Sequence, residues 1–202
     1  MIKALMVDAD GVLVGGRPRD GRHWATDIEA DLGLKLTDVQ AEFFVPHWKK
    51  IVLGQADVMA CLRPALGTLA PDISAETFLA YWLENDSRVD AVLLGDLDRL
   101  REEGMKIFLC TNQEHLRADY LLSERGLKRH IDGIFYSAAM GLKKPDVAFF
   151  KDSANRSGFA PDEIVLIDDS PANVSAAKQA GWNGIHWTGE RSLADELAGM
   201  RI

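Results

Sequence analysis

Apolar residues along the chain fall into two kinds of run. Short apolar runs lie at Ile2 to Val7, Met105 to Cys110, Gly133 to Tyr136, Glu163 to Ile167 and Asn183 to Trp187. Their hydrophobicity is continuous rather than alternating, which predicts strands of a parallel sheet covered on both faces. Helical periodicity occupies Gln113 to Arg125, Asp146 to Ser157 and Ala172 to Ala180. Each of these stretches stops at a glycine, Gly126, Gly158 or Gly181, where a helix C-cap belongs. Strand alternating with helix predicts an α/β fold. A terminal helix is expected from Arg191 onward.

The stretch from Gly15 to about Val89 breaks the alternation. It carries helical segments at Thr26 to Leu32, Thr37 to Val52, Ala56 to Leu66 and Ala75 to Glu84, punctuated by Pro64, Pro71 and glycines. The pattern predicts a helical insertion after the first strand. Residues 1–14 and 89–202 would form the core, and residues 15–88 an inserted helical bundle. A chain of 202 residues has room for one core with such an addition.

Polar residues gather where strands end. Asp8 and Asp10 follow the first strand and Thr111 and Asn112 the second; Lys143 and Lys144 come after the third, and Asp168 and Asp169 close the fourth. In an open parallel sheet, ligands bind beyond the carboxyl ends of the strands, where the winding direction changes. The stretch from Thr111 to Glu114 has capping-box spacing, and Pro145 and Pro171 are expected at first helical positions. Helix N-termini there would present N–H groups to an anion. Carboxylates converging to 4 Å would each repel by about 4 kcal/mol at an effective dielectric near 20. A divalent cation relieves that repulsion, and a few hard oxygen ligands with open positions suit Mg²⁺.

The stretches MVDADGVLV, FLCTNQ, KKPD and VLIDDSPAN, in that order, resemble the four motifs of the haloacid dehalogenase superfamily in the form found in its phosphatase branches. The resemblance covers essentially the whole chain, and the insertion stands where that family carries its α-helical C1 cap. It implies a Rossmann-like parallel-sheet core and Mg²⁺-dependent hydrolysis of a small phosphomonoester, with a sugar phosphate as the first substrate to consider. Residue by residue, it implies that Asp8 is a nucleophile forming an aspartyl phosphate and Asp10 the general acid and base. Thr111 and the Asn112 backbone would bind the phosphoryl oxygens. Lys144, preferred to Lys143 for its pairing with Pro145, would neutralise phosphate and aspartate charge. The metal would be held by the Asp8 side chain, the Asp10 carbonyl and Asp168, with Asp169 acting through water or as an orienting partner. Gly11 would allow the sharp turn beneath the phosphate, and Asn173 is a candidate to orient the acidic pair.

Rival readings separate on the same residues. A 2-haloacid dehalogenase would not require the second aspartate, so Asp10 and the doubled Asp168-Asp169 weigh against it. A phosphomutase shares the motif set and differs in cap closure and water exclusion. A phospho-receiver domain would carry its acidic pair and its phosphorylated aspartate in the other order and would lack the insertion. A silent binding module would have lost Asp8 or Asp10.

Composition narrows the partners. A formal charge of −8 and a pI near 5.1 argue against a nucleic-acid surface. No unbroken apolar stretch has membrane-spanning length. The N-terminal residues lack signal-peptide features, so a cytoplasmic protein is expected. Cys61 and Cys110 stand in no metal-ligand spacing and are expected to be buried free thiols. A small phosphorylated metabolite is the expected partner, and the apolar insertion would permit a monomer or a homodimer. Within the insertion, Trp24, His47, Trp48, Lys49, Lys50 and Trp82 are pocket candidates, with core packing the commoner fate of such tryptophans. Arg17, Arg19 and Arg22 are expected in a solvated, mobile loop, with contact to an anionic substrate as the alternative.

Overall fold

All five apolar blocks become strands of one parallel sheet. The computed structural model describes residues 1–200, and its strands are β1 (Ala4–Val7), β2 (Lys106–Thr111), β3 (Gly133–Tyr136), β4 (Ile164–Asp168) and β5 (Asn183–His186). Their order is β3-β2-β1-β4-β5. The chain therefore builds outward from β1 on one side, then crosses to the other, and the switch point lies at the carboxyl end of β1. Register places Val7 beside both Leu109 and Ile167, so Asp8 emerges level with the ends of β2 and β4.

Alternate residues of β1 serve opposite layers. Leu5 and Val7 pack with Leu93, Leu97 and Leu121 on one face. Ala4 and Met6 pack with Phe149, Phe150 and Trp182 on the other. Burial on both faces is the reason for the continuous hydrophobicity of β1 and β4, while the edge strands β3 and β5 are largely half-buried.

Helix starts depart from expectation at two places. The helix after β2 spans His115–Ser123, and its cap is Glu114, whose carboxylate accepts from the backbone N–H groups of Leu116 and Arg117. Thr111 instead remains in β2 and does not cap. The next long helix, Val147–Ser157, is capped by Asp146, so Pro145 lies outside it. In both cases a carboxylate nearer the helix satisfies its free N–H groups. Pro171 does open its helix, Pro171–Gln179, as expected. A helix over Ala91–Glu102 has no counterpart in the sequence-based reading; Asp90 caps it, and it buries Leu93 and Leu97.

The segment between β1 and that helix has a hydrophobic cluster of its own, including Trp24, Phe43, Leu62, Phe78 and Trp82. Its helices are Ile28–Leu32, Leu36–Val39, Val45–Ile51, Val58–Leu69 and Ala75–Asn85, with a π-helical turn at Gln40–Phe44. Pro64, expected as punctuation, sits inside Val58–Leu69, where the burial of Leu62, Ala65 and Leu66 outweighs its missing N–H. The segment leaves and rejoins the core through paired backbone. Gly15 N–H donates to the Arg88 carbonyl at 2.9 Å, and Arg88 N–H to that of Gly16 at 3.1 Å. Cys110 is buried, but Cys61 is only half-buried, contrary to expectation. Among the described residues, no helix is long and apolar enough to cross a membrane.

One carboxylate stands out for the sheet edge. Asp132 accepts from the Ile107 N–H of β2 at 3.0 Å, from Arg101 at 3.1 Å and from Lys106 at 3.0 Å. Partial burial opposes ionisation, yet these donors hold its pKa at about 2. A depressed carboxylate stabilises the fold above the unfolded pKa and loses that contribution as pH falls through the folded one. Asp132→Asn should therefore cost about 1–2 kcal/mol at pH 7, discounted for its exposed partners. Urea melts should show the difference from wild type closing between about pH 4 and pH 2; a gap independent of pH would refute the assignment.

Candidate active site

Three strand ends deliver the central group. Asp8 follows β1 directly, and its Oδ1 accepts from the Ala9 N–H at 2.8 Å. Lys144 Nζ lies 2.8 Å from Asp8 Oδ2 and 2.6 Å from Asp168 Oδ2, and donates to the Cys110 carbonyl at 2.8 Å. The ammonium thus bridges carboxylates from β1 and β4 while tied to β2. Asn112 locks the loop that carries it: its amide donates to the Lys144 carbonyl at 3.0 Å and accepts from the Lys144 N–H at 2.9 Å. Lys144 is buried, whereas Lys143 is half-buried beside it. Asp168 turns its Oδ1 to the Ser170 N–H and the Asn173 amide, both at 2.9 Å.

Asp169 completes the cluster. Asp8, Asp168 and Asp169 can each offer an oxygen such that all lie within 4.8 Å of one another. Gly11, at φ +79°, sits so that a Cβ would collide with the Asp169 carboxylate. Its absent side chain keeps that space open, and the left-handed backbone would be strained in any other residue.

Asp10 is held by residues that sequence reasoning did not single out. Arg117 Nη2 donates to its Oδ1 at 2.6 Å and Gln113 Nε2 to its Oδ2 at 2.5 Å. Arg117 is itself buried, and reaches the Asp86 carbonyl at 2.7 Å and carboxylate at 3.3 Å. Asp86 immediately follows the last helix of the inserted segment. One guanidinium therefore joins Asp10 to the segment that returns from the insertion. The available signal was Arg117 in line with Ala118 and Leu121 on the buried face of its helix, a place that rarely holds an unpaired charge.

Burial and charge set the electrostatics. Desolvation pushes the Asp8 carboxyl up to about 7 although Lys144 pulls the other way. Burial works against the Lys144 ammonium, but the facing carboxylates of Asp8 and Asp168 outweigh it and keep it charged. Burial also raises Asp169, helped by Asp168. When ionised, the five carboxylates of Asp8, Asp10, Asp86, Asp168 and Asp169 face two cations, Lys144 and Arg117. A hard divalent cation fits this all-oxygen, charge-deficient cluster.

The remaining candidates divide. Trp24, Trp48 and Trp82 join Phe44 in one aromatic group. The His47 ring packs near Phe43, and Lys49 and Lys50 are exposed. The expectation of a solvated loop fails for Arg17, which is buried and pairs with Asp20 and Asp27, each at 2.5 Å. Arg19 also pairs with Asp27. These ion pairs occupy Arg17 and Arg19, and Arg22 is exposed.

A family model described as haloacid dehalogenase-like hydrolase matches residues 2–181. A sesquiterpene phosphatase of Aspergillus oryzae is 30% identical over 198 residues, 96% of this chain and 94% of that protein. A phosphoglycolate phosphatase of Nitrosococcus oceani is 28% identical over 185 residues, 88% of this chain and 80% of that one. In three dimensions the chain is similar to a HAD family enzyme from Bacteroides thetaiotaomicron, solved in complex with magnesium and inorganic phosphate. The TM-score is 0.81, with 18% identity and coverage of 96% and 98% of the two chains.

Proposed function

This chain belongs to the haloacid dehalogenase-like hydrolases and is a phosphoric monoester hydrolase, and on that premise we propose that it acts through an aspartyl phosphate at Asp8. The single observation that carries the reading is Lys144 bridging Asp8 and Asp168 at the switch point of the sheet. An Asp8 oxygen attacks phosphorus and the bond to the leaving oxygen breaks, with Asp10 delivering a proton to that oxygen. Asp10 then takes a proton from water as the water attacks phosphorus, the bond to Asp8 breaks, and phosphate leaves. Thr111 and the Asn112 backbone bind the phosphoryl oxygens, and Lys144 offsets their charge. Mg²⁺ held by Asp8, the Asp10 carbonyl, Asp168 and Asp169 would supply the remaining charge neutralisation. Residues 15–88 act as a cap on a core of residues 1–14 and 89–202.

The relatives do not choose the substrate, since an isoprenoid phosphate and phosphoglycolate are chemical opposites. A sugar phosphate, the class implied by the sequence resemblance, would need hydrogen-bonding partners for its hydroxyls.

Phosphate release from a panel of phosphomonoesters, with Asp8→Asn as the blank, tests the proposal. Chelation should lower release by roughly a hundredfold or more, and Mg²⁺ should restore it; full activity in chelator would sink the metal role. Arg117 is a positioning residue in this scheme, because it orients the proton donor without touching substrate. Arg117→Ala should slow hydrolysis of an alkyl phosphate about tenfold to a hundredfold more than that of p-nitrophenyl phosphate, whose phenolate leaves without protonation. Equal loss on both esters would reduce Arg117 to a structural part.

A further inference from the structure

The inserted helices form an open depression that the phosphate chemistry leaves unused. Its cavity is about 400 Å³, walled by Trp24, Phe44, Trp48 and Trp82. The rings meet edge to face, with centroids at 5.6 Å for Phe44 and Trp48, 5.5 Å for Phe44 and Trp82, and 5.6 Å for Trp48 and Trp82. Val45, 77% exposed, also lines it. Val45 thus extends the aromatic wall at the rim of the depression.

The backbone is shaped for this pocket. At the π-helical turn Gln40–Phe44 the Val45 N–H bonds to the Gln40 carbonyl five residues back. The wider turn brings Val45 onto the helix face that carries Gln40, beside Phe44 and Trp48. π-turns inside helices are frequent at functional sites.

The remaining wall connects to the catalytic group. Asp86 lines the pocket, and its carboxylate lies 3.3 Å from Arg117 Nη2, which is 2.6 Å from Asp10 Oδ1. Asp10 is the residue that protonates the leaving oxygen, so the organic part of the substrate starts from its neighbourhood. Among the described residues, the only charge lining the pocket is the Asp86 carboxylate, and beyond the indole N–H groups the only other polar side chain is Gln40. A sugar would find too few partners for its hydroxyls, and a second anionic group would meet a carboxylate. Aromatic walls suit hydrocarbon.

We infer that this pocket receives the organic part of the substrate and that this part is a hydrocarbon group, so the enzyme selects apolar phosphomonoesters over phosphorylated acids and sugars. The inference rests on the phosphatase reading above. It is tested by comparing kcat/KM for ethyl and hexyl phosphate, whose leaving groups are chemically alike and differ in chain length, and for phosphoglycolate. Hexyl phosphate should exceed ethyl phosphate by about tenfold to a hundredfold, as expected for burying four methylenes in part, and phosphoglycolate should fall below both. Trp48→Ala should flatten the chain-length dependence. If that variant does not fold, Val45→Asp, at an exposed position, should flatten it instead.

A second readout is independent of turnover. Hexylphosphonate should perturb the tryptophan fluorescence at lower concentration than ethylphosphonate does. Release of phosphate without any preference for chain length overturns the pocket assignment and leaves the phosphatase reading standing. Tighter binding of hexylphosphonate with no phosphate released from any ester supports the pocket and overturns the hydrolytic reading instead. Phosphoglycolate turned over as well as hexyl phosphate overturns the inference.

Discussion

Asp8→Asn should release phosphate at least about 10⁴-fold more slowly than wild type, because the amide keeps the shape of the side chain but has no nucleophilic oxygen pair. The same substitution should leave the fold intact, and the physical reason gives a second, independent readout. Burial lifts the Asp8 carboxyl to about 7, so in the metal-free protein its ionisation opposes folding. A carboxyl raised above its unfolded pKa contributes its stability fully in acid and loses it as pH rises through the folded value. In chelator, therefore, wild type should lose ground to Asp8→Asn between about pH 4 and pH 8. Lys144 retains Asp168 as a partner in the variant, which limits the damage from losing Asp8. A folded Asp8→Asn protein with wild-type turnover would overturn the covalent mechanism. An unchanged stability difference across that pH range would overturn the account of Asp8 burial.

Lys144→Met should be the next most damaging change, in rate and in stability together. Methionine preserves the length of the side chain and removes its charge. Phosphoryl transfer depends chiefly on positioning and charge neutralisation, so a loss on the order of 10³-fold is expected in phosphate release. Stability should fall because Asp8 and Asp168 would face each other with no cation between them. Breaking a buried pair from one side costs roughly 3–5 kcal/mol. That cost should shrink as pH falls, since protonating either carboxylate removes the repulsion. Mg²⁺ should restore part of the stability by binding the folded state, with the rate remaining low. Wild-type turnover in the variant would remove Lys144 from the chemistry, and a cost that grows in acid would contradict the ion-pair account.

Much of the architecture was legible before any coordinates, for a local reason. A strand buried on both faces must be apolar at every position, so β1 and β4 announced themselves by composition alone, and β2 nearly so. The acidic, hydroxyl and lysine residues stood at the ends of those strands because a parallel sheet gathers its carboxyl edges. The choice of Lys144 over Lys143 followed from a neighbouring proline; the structure buries Lys144 and leaves Lys143 half-buried. Helix starts were less legible. Glu114 took the capping role that spacing gave to Thr111, and Pro145 precedes the Asp146 cap, because the cap is the last residue before the first helical turn. The helix Ala91–Glu102 carries its signal in Asp90 and the leucines that follow, directly after the end of the insertion.

By itself, the sequence determined the sheet, the place of the insertion and the residues that meet at the carboxyl edge, because periodicity and strand-end position are local properties. Only the tertiary structure decided that Arg117 clamps Asp10, a contact between residues 107 positions apart. It also decided that Arg17 is spent on Asp20 and Asp27, and that four aromatic residues of the inserted segment wall a depression beside Asp86. An arginine looks the same in a sequence whether it is solvated or buried, and an aromatic whether it fills a core or lines a pocket. The difference is made by the groups that folding brings against it, whose attraction and exclusion of water depend on distance in space.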